Sequence, residues 1–265
     1  MYPKIMLFGA GHMGTALLDG IFTARLFTPD QVVVVDKQKT ALEKVQNKYP
    51  SIKVSQEPKD FAEAAIVAVK PLEVSSVFLS IKELKIPRVV SIAAGVSLSK
   101  LLNWVDPSST VVIRAMPNTA ALIGQSASAI SYMSGTDELD IVWAEEILSK
   151  VGTVIRVPEY LLDAVTALSG SGPAYFFLVV EALIEAGVLV GLPREVSEQL
   201  TRQTFLGAAE LFNTSNHSVQ ELRHGVTSPG GTTAAALKVL ESNGLRGAFF
   251  EAIEAATQRS IELRD

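Results

Sequence analysis

The chain contains no cysteine at all. That removes disulfides, thiolate metal sites and a cysteine nucleophile together, and it suits a reducing cytosol, so a cytoplasmic location is expected. Only three histidines are present, His12, His217 and His224, and none forms an H-x-x-x-H pair. With the thiolates gone as well, no metal site is expected. Basic excess is lacking too: the net charge is −5 and the isoelectric point about 5.4. An electrostatic nucleic-acid footprint is therefore not expected, and no basic run suggests an anionic membrane surface. "MYPKIMLFGAG" runs straight into a strand pattern, without the charged n-region or cleavage site of a secretory leader. The sequence also lacks internal repeats and low-complexity segments.

What is present is a sizeable apolar fraction. Hydrophobic residues make up 48% of 265 and charged ones 19%, enough for a packed core. One run, "PAYFFLVVEALIEAGVLVGL", approaches the roughly 20 residues that span a bilayer. Glu181 and Glu185 lie on one face of it, and each would cost about 2–4 kcal/mol in lipid. A helix buried between protein surfaces is the expectation, with a partner subunit on one side.

The first part of the chain alternates short β-branched runs with helical stretches. "KIMLF", "QVVVVD", "IKV", "AIVAV", "RVVSIA", "TVVIRA", "SASAISYM" and "GTVIRV" read as strands. The early ones are continuously apolar, as strands buried on both faces are. Helix-period segments such as "MGTALLDGIFTARL" separate them, so a doubly wound, mostly parallel α/β sheet is expected. Beyond Val157 only helical patterns follow. The predicted layout is a dinucleotide-binding domain over 1–157 and an all-α domain over 158–265.

Gly9-Ala10-Gly11-His12-Met13-Gly14 completes G-x-G-x-x-G between the first strand and the first helix. In that setting Gly9 permits the tight turn, Gly11 lets backbone approach a pyrophosphate, and Gly14 lets helix pack on strand. The helix start, with His12 and Met13, supplies N–H groups for the phosphates. Asp36 closes the second strand at the spacing of the acid that binds a ribose 2′-hydroxyl, which favours NAD(H). Lys37 and Lys39 follow it and are suited to the 2′-phosphate of NADP(H), or are an ordinary solvated cluster. Both cofactors stay open here. "AVKP" (Ala68, Val69, Lys70, Pro71), "AAGV" (with Ala94 and Gly95) and "MPNT" (with Met116, Pro117 and Asn118) each follow a strand whose carboxyl end lines the cofactor crevice.

"SGSGP" (169–173) fails the G-x-S-x-G pattern at either serine, so a serine nucleophile is not expected. Hydride transfer remains. Dehydrogenases acting on hydroxyls generally need a lysine or histidine acid/base, and the first long helix of the second half carries aromatics instead. Lys238 is the only lysine after Lys150. A C=N substrate asks less of the protein, because an iminium already carries the charge that makes its carbon electrophilic. "TSPGGTT" (227–233) can present successive N–H groups at a helix start and so hold a carboxylate without a charged side chain. An ordinary turn with Thr232 or Thr233 capping the helix explains the same residues equally well.

"VTSPGGTTAAALKVLE", with "AVKP", "MPNT" and "SGSGPAYFF", resembles the pyrroline-5-carboxylate reductase family over essentially the whole chain. The resemblance implies a Rossmann domain, a helical domain that interlocks two subunits, and often a ring of such dimers. It implies NAD(P)H-dependent reduction of the cyclic imine of glutamate semialdehyde, 1-pyrroline-5-carboxylate, to L-proline. Carried over by motif, Ser228, Gly230, Gly231, Thr232 and Thr233 resemble the substrate-carboxylate loop, and Thr233 the residue that contacts the imine nitrogen. Two positions depart from the pattern. His12 stands where the family often has asparagine, and Asp36 where many NADPH-preferring members have a small polar or basic residue. A reductase of another imine or of a carbonyl, and a non-catalytic dinucleotide sensor, are the competing readings.

Overall fold

The structure is a computed structural model that describes residues 4–264. Two compact units divide it. One comprises the described residues through Ser171 together with those from Ala256 onward, and the other is Gly172–Ala255.

The first unit is built on β1 (Ile5–Phe8), α1 (His12–Thr23), β2 (Val32–Val35), α2 (Lys39–Lys48), β3 (Lys53–Ser55), β4 (Ala64–Val67), α3 (Val74–Glu83), β5 (Arg88–Ser91), α4 (Leu98–Asn103), β6 (Val111–Met116), β7 (Ser126–Tyr132), α5 (Glu138–Ser149) and β8 (Gly152–Arg156). All eight runs read as strands are strands. Their order is β3-β2-β1-β4-β5-β6-β7-β8, parallel from β3 through β6. The continuous apolar character of β1 and β4 has the expected cause: every residue of each is buried. Ile5 and Leu7 face a layer made by α1, α2 and α5, through Leu17, Leu18, Ile21, Leu42, Val45, Ile147 and Leu148. Met6 and Phe8 face the opposite layer, where α3 and α4 contribute Phe78, Ile81, Leu98 and Leu101. Chain order reverses between β1 and β4, which opens a crevice at the carboxyl ends of these strands.

β7 departs from the parallel rule. It runs antiparallel to β6, with Ile113 opposite Tyr132, and β8 then pairs parallel with β7. The cause is the short link from Met116 to Ser126, below the dozen or so residues that a parallel crossover needs. α5 supplies that length between β7 and β8.

After Arg156 no strand occurs among the described residues. Compactness draws a different line. α6 (Leu162–Val165) and the π-helical turn Thr166–Gly170 pack with the sheet unit. So does the C-terminal part of α11 (Leu245–Arg264), because the buried Asp163 carboxylate accepts from Ser260 Oγ at 2.8 Å and from Arg264 at 2.9 Å.

The second unit contains α7 (Gly172–Leu189), α8 (Arg194–Thr214), α9 (Val219–Gly225), α10 (Thr232–Ser242) and the first part of α11. α7 and α8 pack closely at Gly187, where a Cβ would lie 2.2 Å from Ser197 Oγ, and that hydroxyl donates to Ile184 O. Glu241 joins α9, α10 and α11 by pairing with Arg223 and Arg246. Few side chains in this unit are covered. Of α7 only Gly172 is buried, and Phe176, Phe177, Leu178 and Leu183 stand exposed. The run from Glu159 to Leu189 is long and apolar enough to cross a bilayer by length and composition, yet Glu185 on it is ion-paired with Arg194.

Candidate functional site

The glycine-rich turn has the shape its spacing predicts. Gly9 adopts φ +99, and a Cβ there would sit 2.5 Å from Ala68 O. On Gly14 a Cβ would come within 2.0 Å of Gly9 O. Both positions therefore exclude side chains so that α1 can lie against β1 and β4. Gly11 differs: a Cβ added to it meets nothing within 4 Å. Its missing side chain leaves open space over the start of α1. Gly11 caps that helix with its backbone alone, and the first turn carries no acid. The N–H groups of the first turn have no intrahelical acceptor, and with the positive end of the helix they suit a pyrophosphate.

Asp36 closes the ribose end. Its Oδ2 accepts from the Ala10 N–H at 2.7 Å and its Oδ1 from the Gln38 N–H at 2.7 Å. Lys37 Nζ lies 3.3 Å from Glu73 Oε1, and Lys39 Nζ lies 3.8 Å from Glu43. Gln56 donates to Lys37 O at 2.9 Å, so the segment after β3 closes over this end. A cleft of about 380 Å³ is lined here by Gly9, Gly11, Asp36, Lys37, Ala68, Val69 and Lys70. Gln38, Gln56, Glu57, Pro58, Glu73, Ser76 and Ser80 also line it. These were not anticipated, although 56–58 follow β3 at its carboxyl end, the same signal that singled out "AVKP".

A second cleft, about 270 Å³, shares Ala68 and Val69 with the first. Met13, Ala94, Met116, Pro117 and Asn118 line it, as expected, with Ile92, Ala93, Thr119 and Gly170 in addition. Its walls are mainly apolar, which suits a flat nicotinamide ring. The Asn118 side chain is engaged within the protein: Nδ2 donates to Ser169 O at 2.9 Å, clipping the "MPNT" loop to the π-helical turn. Gly170 lies close to the end of the Met116 side chain, where a Cβ would come within 2.6 Å of Met116 Cε. The remaining residues of the expected set lie outside these linings. His12 is the exposed first residue of α1, Gly14 is buried beneath it, and Pro71 opens a 3-10 turn after Lys70. Gly95 (φ +71) turns towards the C-terminal end of α11, where a Cβ would meet Leu263 O at 3.3 Å.

In the second unit, Ser228, Gly230, Gly231, Thr232 and Thr233 come together as a turn and the first turn of α10. Pro229 at the second position, Gly230 at φ +71 and the Gly231 N–H donating to Ser228 O at 3.0 Å are the marks of a type II turn. Gly231 is the N-cap, and no side chain caps the helix. The bland alternative for the threonines, capping by Thr232 or Thr233, is thereby corrected: both lie inside the helix, past the capping position. The first-turn N–H groups stay open, no acid sits beside them, and Gly230 has open space above it. The turn and helix start therefore offer backbone donors to an anion without a formal charge.

Two family models match the chain. One describes pyrroline-5-carboxylate reductase dimerisation and matches residues 159–263. The other, described as NADP oxidoreductase coenzyme F420-dependent, matches residues 4–95. A pyrroline-5-carboxylate reductase from Synechocystis sp. is 40% identical over 267 residues, covering 99% of both chains. Among solved structures, a pyrroline-5-carboxylate reductase from Coxiella burnetii superposes with a TM-score of 0.92 at 36% identity, covering all of both chains. The enzyme from Plasmodium falciparum, solved with NADP bound, superposes with a TM-score of 0.85 at 31% identity, covering 99% of this chain and 98% of that one.

Proposed function

The chain belongs to the pyrroline-5-carboxylate reductase family, and from that premise we propose that it reduces the C=N bond of 1-pyrroline-5-carboxylate to give L-proline. The observation that carries this reading is the likeness to such reductases along the entire chain. When bound, NAD(P)H supplies the hydride.

The protein's own residues bind and orient. Gly9, Gly11 and Gly14 bring the start of α1 to the pyrophosphate, with His12 and Met13 beside it, and Asp36 receives the ribose hydroxyls. Ala68, Val69 and Lys70, Ala94, and Met116, Pro117 and Asn118 form the wall along which the cofactor extends, with Pro71 and Gly95 turning the backbone just beyond it. Gly9 and Gly14 support the fit by geometry, since each excludes a Cβ, while the space over Gly11 is open to a phosphate. Ser228, Gly230, Gly231 and Thr232 hold the substrate carboxylate through the turn and the first N–H groups of α10. The Thr233 hydroxyl hydrogen-bonds the ring nitrogen. A hydroxyl has no pKa near neutrality, so Thr233 positions the nitrogen rather than serving as a strong acid. The iminium carbon accepts the hydride, its π pair becomes the amine lone pair, and solvent protonates that amine afterwards.

The dimerisation module supports self-association. We infer that the exposed apolar faces of α7 and α8, around Phe176, Phe177 and Leu183, are covered by a second copy, with rings of such dimers as the higher assembly. On this reading a partner subunit rather than lipid covers α7, and the cysteine-free sequence suits the reducing cytoplasm.

Purified protein, the cyclic imine and NADH or NADPH, with proline quantified by chromatography, test the assignment. Proline forming in step with dinucleotide oxidation supports it. Turnover of a 3-hydroxy acid with none of the imine contradicts it.

A further inference from the structure

We propose that this chain binds NADH in preference to NADPH, and that Asp36 together with the Lys37–Glu73 pair sets the preference. The proposal rests on the dinucleotide site described above and deepens it.

A 2′-phosphate brings nearly two negative charges and three acceptor oxygens. It needs donors and cations at the end of β2, and here two backbone N–H groups, Lys37 and Lys39 already face carboxylates. Two backbone N–H groups at that point, those of Ala10 and Gln38, each donate at 2.7 Å to the Asp36 carboxylate. The position holds its own anion, tied from both sides. An ionised carboxylate only accepts hydrogen bonds, which suits ribose hydroxyls and repels phosphate oxygens.

The nearby ammonium groups do not reverse this. Lys37 Nζ is 3.3 Å from Glu73 Oε1, and Lys39 Nζ faces Glu43 on its own helix. Around the cleft, Asp36, Glu57 and Glu73 stand against Lys37 and Lys70, three carboxylates to two ammoniums. No arginine lines it to grip a phosphate bidentately. "DKQK" therefore looks basic in sequence but presents a carboxylate to the ribose.

The test is equilibrium titration of the whole protein with NADH and with NADPH, by nucleotide fluorescence and without any imine. NADH is expected to bind at least about tenfold more tightly, with the gap narrowing as salt screens the repulsion. Asp36→Asn, nearly isosteric and uncharged, is expected to shrink the NADH-to-NADPH affinity ratio about tenfold. Glu73→Gln, on the exposed side of the cleft, releases Lys37 and is expected to shrink it by a few-fold, which keeps the idea testable if the first variant folds poorly. NADPH binding as tightly as NADH, or a ratio unchanged in both variants, overturns the proposal. Proline formation alongside tighter NADPH binding overturns it and leaves the functional reading intact. Binding of neither dinucleotide overturns both.

Discussion

Gly11→Ala separates the cost of folding from the cost of binding. Gly11 has φ −74 and ψ −173, a conformation alanine adopts freely, and its new methyl group would find no atom within 4 Å. As an N-cap, alanine is worse than glycine by about 1 kcal/mol. The narrower unfolded ensemble returns about 0.4–1 kcal/mol. The net change in stability should therefore be small, a shift in Tm of no more than about 4 °C. Binding should suffer far more. A pyrophosphate that approaches the α1 amides through this gap meets the methyl group and must retreat by about an ångström, weakening several charge-assisted hydrogen bonds at once. A loss of about 1.4–3 kcal/mol is about 10- to 100-fold in Kd. Gly14→Ala should do the reverse, because its Cβ would lie 2.0 Å from Gly9 O; it should lower Tm clearly. Thermal melts and dinucleotide titrations on both variants read the two effects. Gly11→Ala with unchanged affinity and unchanged Tm would refute the placement of the pyrophosphate over α1.

Thr233→Ala should lower kcat at least about tenfold while leaving dinucleotide affinity within about twofold, since it removes one hydrogen bond to the reacting group; unchanged turnover would remove Thr233 from the mechanism. Asp163→Ala strips the partners from Ser260 and Arg264 in a buried setting and should cost about 2–4 kcal/mol, read as a lower urea midpoint. An unchanged midpoint would mean that the end of α11 is held by its other contacts. The hydrogen bond from Arg156 holds the Glu145 carboxyl below its ordinary pKa. A depressed carboxylate contributes stability above its unfolded pKa and loses it as pH falls through the folded one. Wild type should therefore exceed Glu145→Gln in stability at neutral pH, and the gap should shrink as pH falls below the ordinary glutamate range. A constant gap across that range would point to packing instead of charge.

Much of this architecture is legible in the sequence because its causes are local. "IMLF" and "AAIV" announce strands covered on both faces, and the glycine spacing is dictated by contacts across one tight turn. The reversal of β7 was also available, since the link after Met116 is too short for a parallel crossover. Other features depend on residues far apart in the chain. Nothing near Lys37 reveals that Glu73 neutralises it, or near Asp163 that Ser260 and Arg264 satisfy it. Gly95 reads as a cofactor contact from its place after β5, whereas its α-carbon faces Leu263. The threonines of "PGGTT" read equally as caps or as ligands, and only the helix starting at Thr232, with Gly231 as its cap, removes the first reading.

Isotope transfer tests the central claim most directly. With NAD(P)H carrying two deuterium atoms at nicotinamide C4 and 1-pyrroline-5-carboxylate as substrate, mass spectrometry and proton NMR locate the label in the product. The account predicts L-proline carrying one deuterium on the ring carbon bonded to nitrogen, opposite the carboxylate-bearing carbon. Unlabelled proline, or no proline from either labelled dinucleotide, would contradict it.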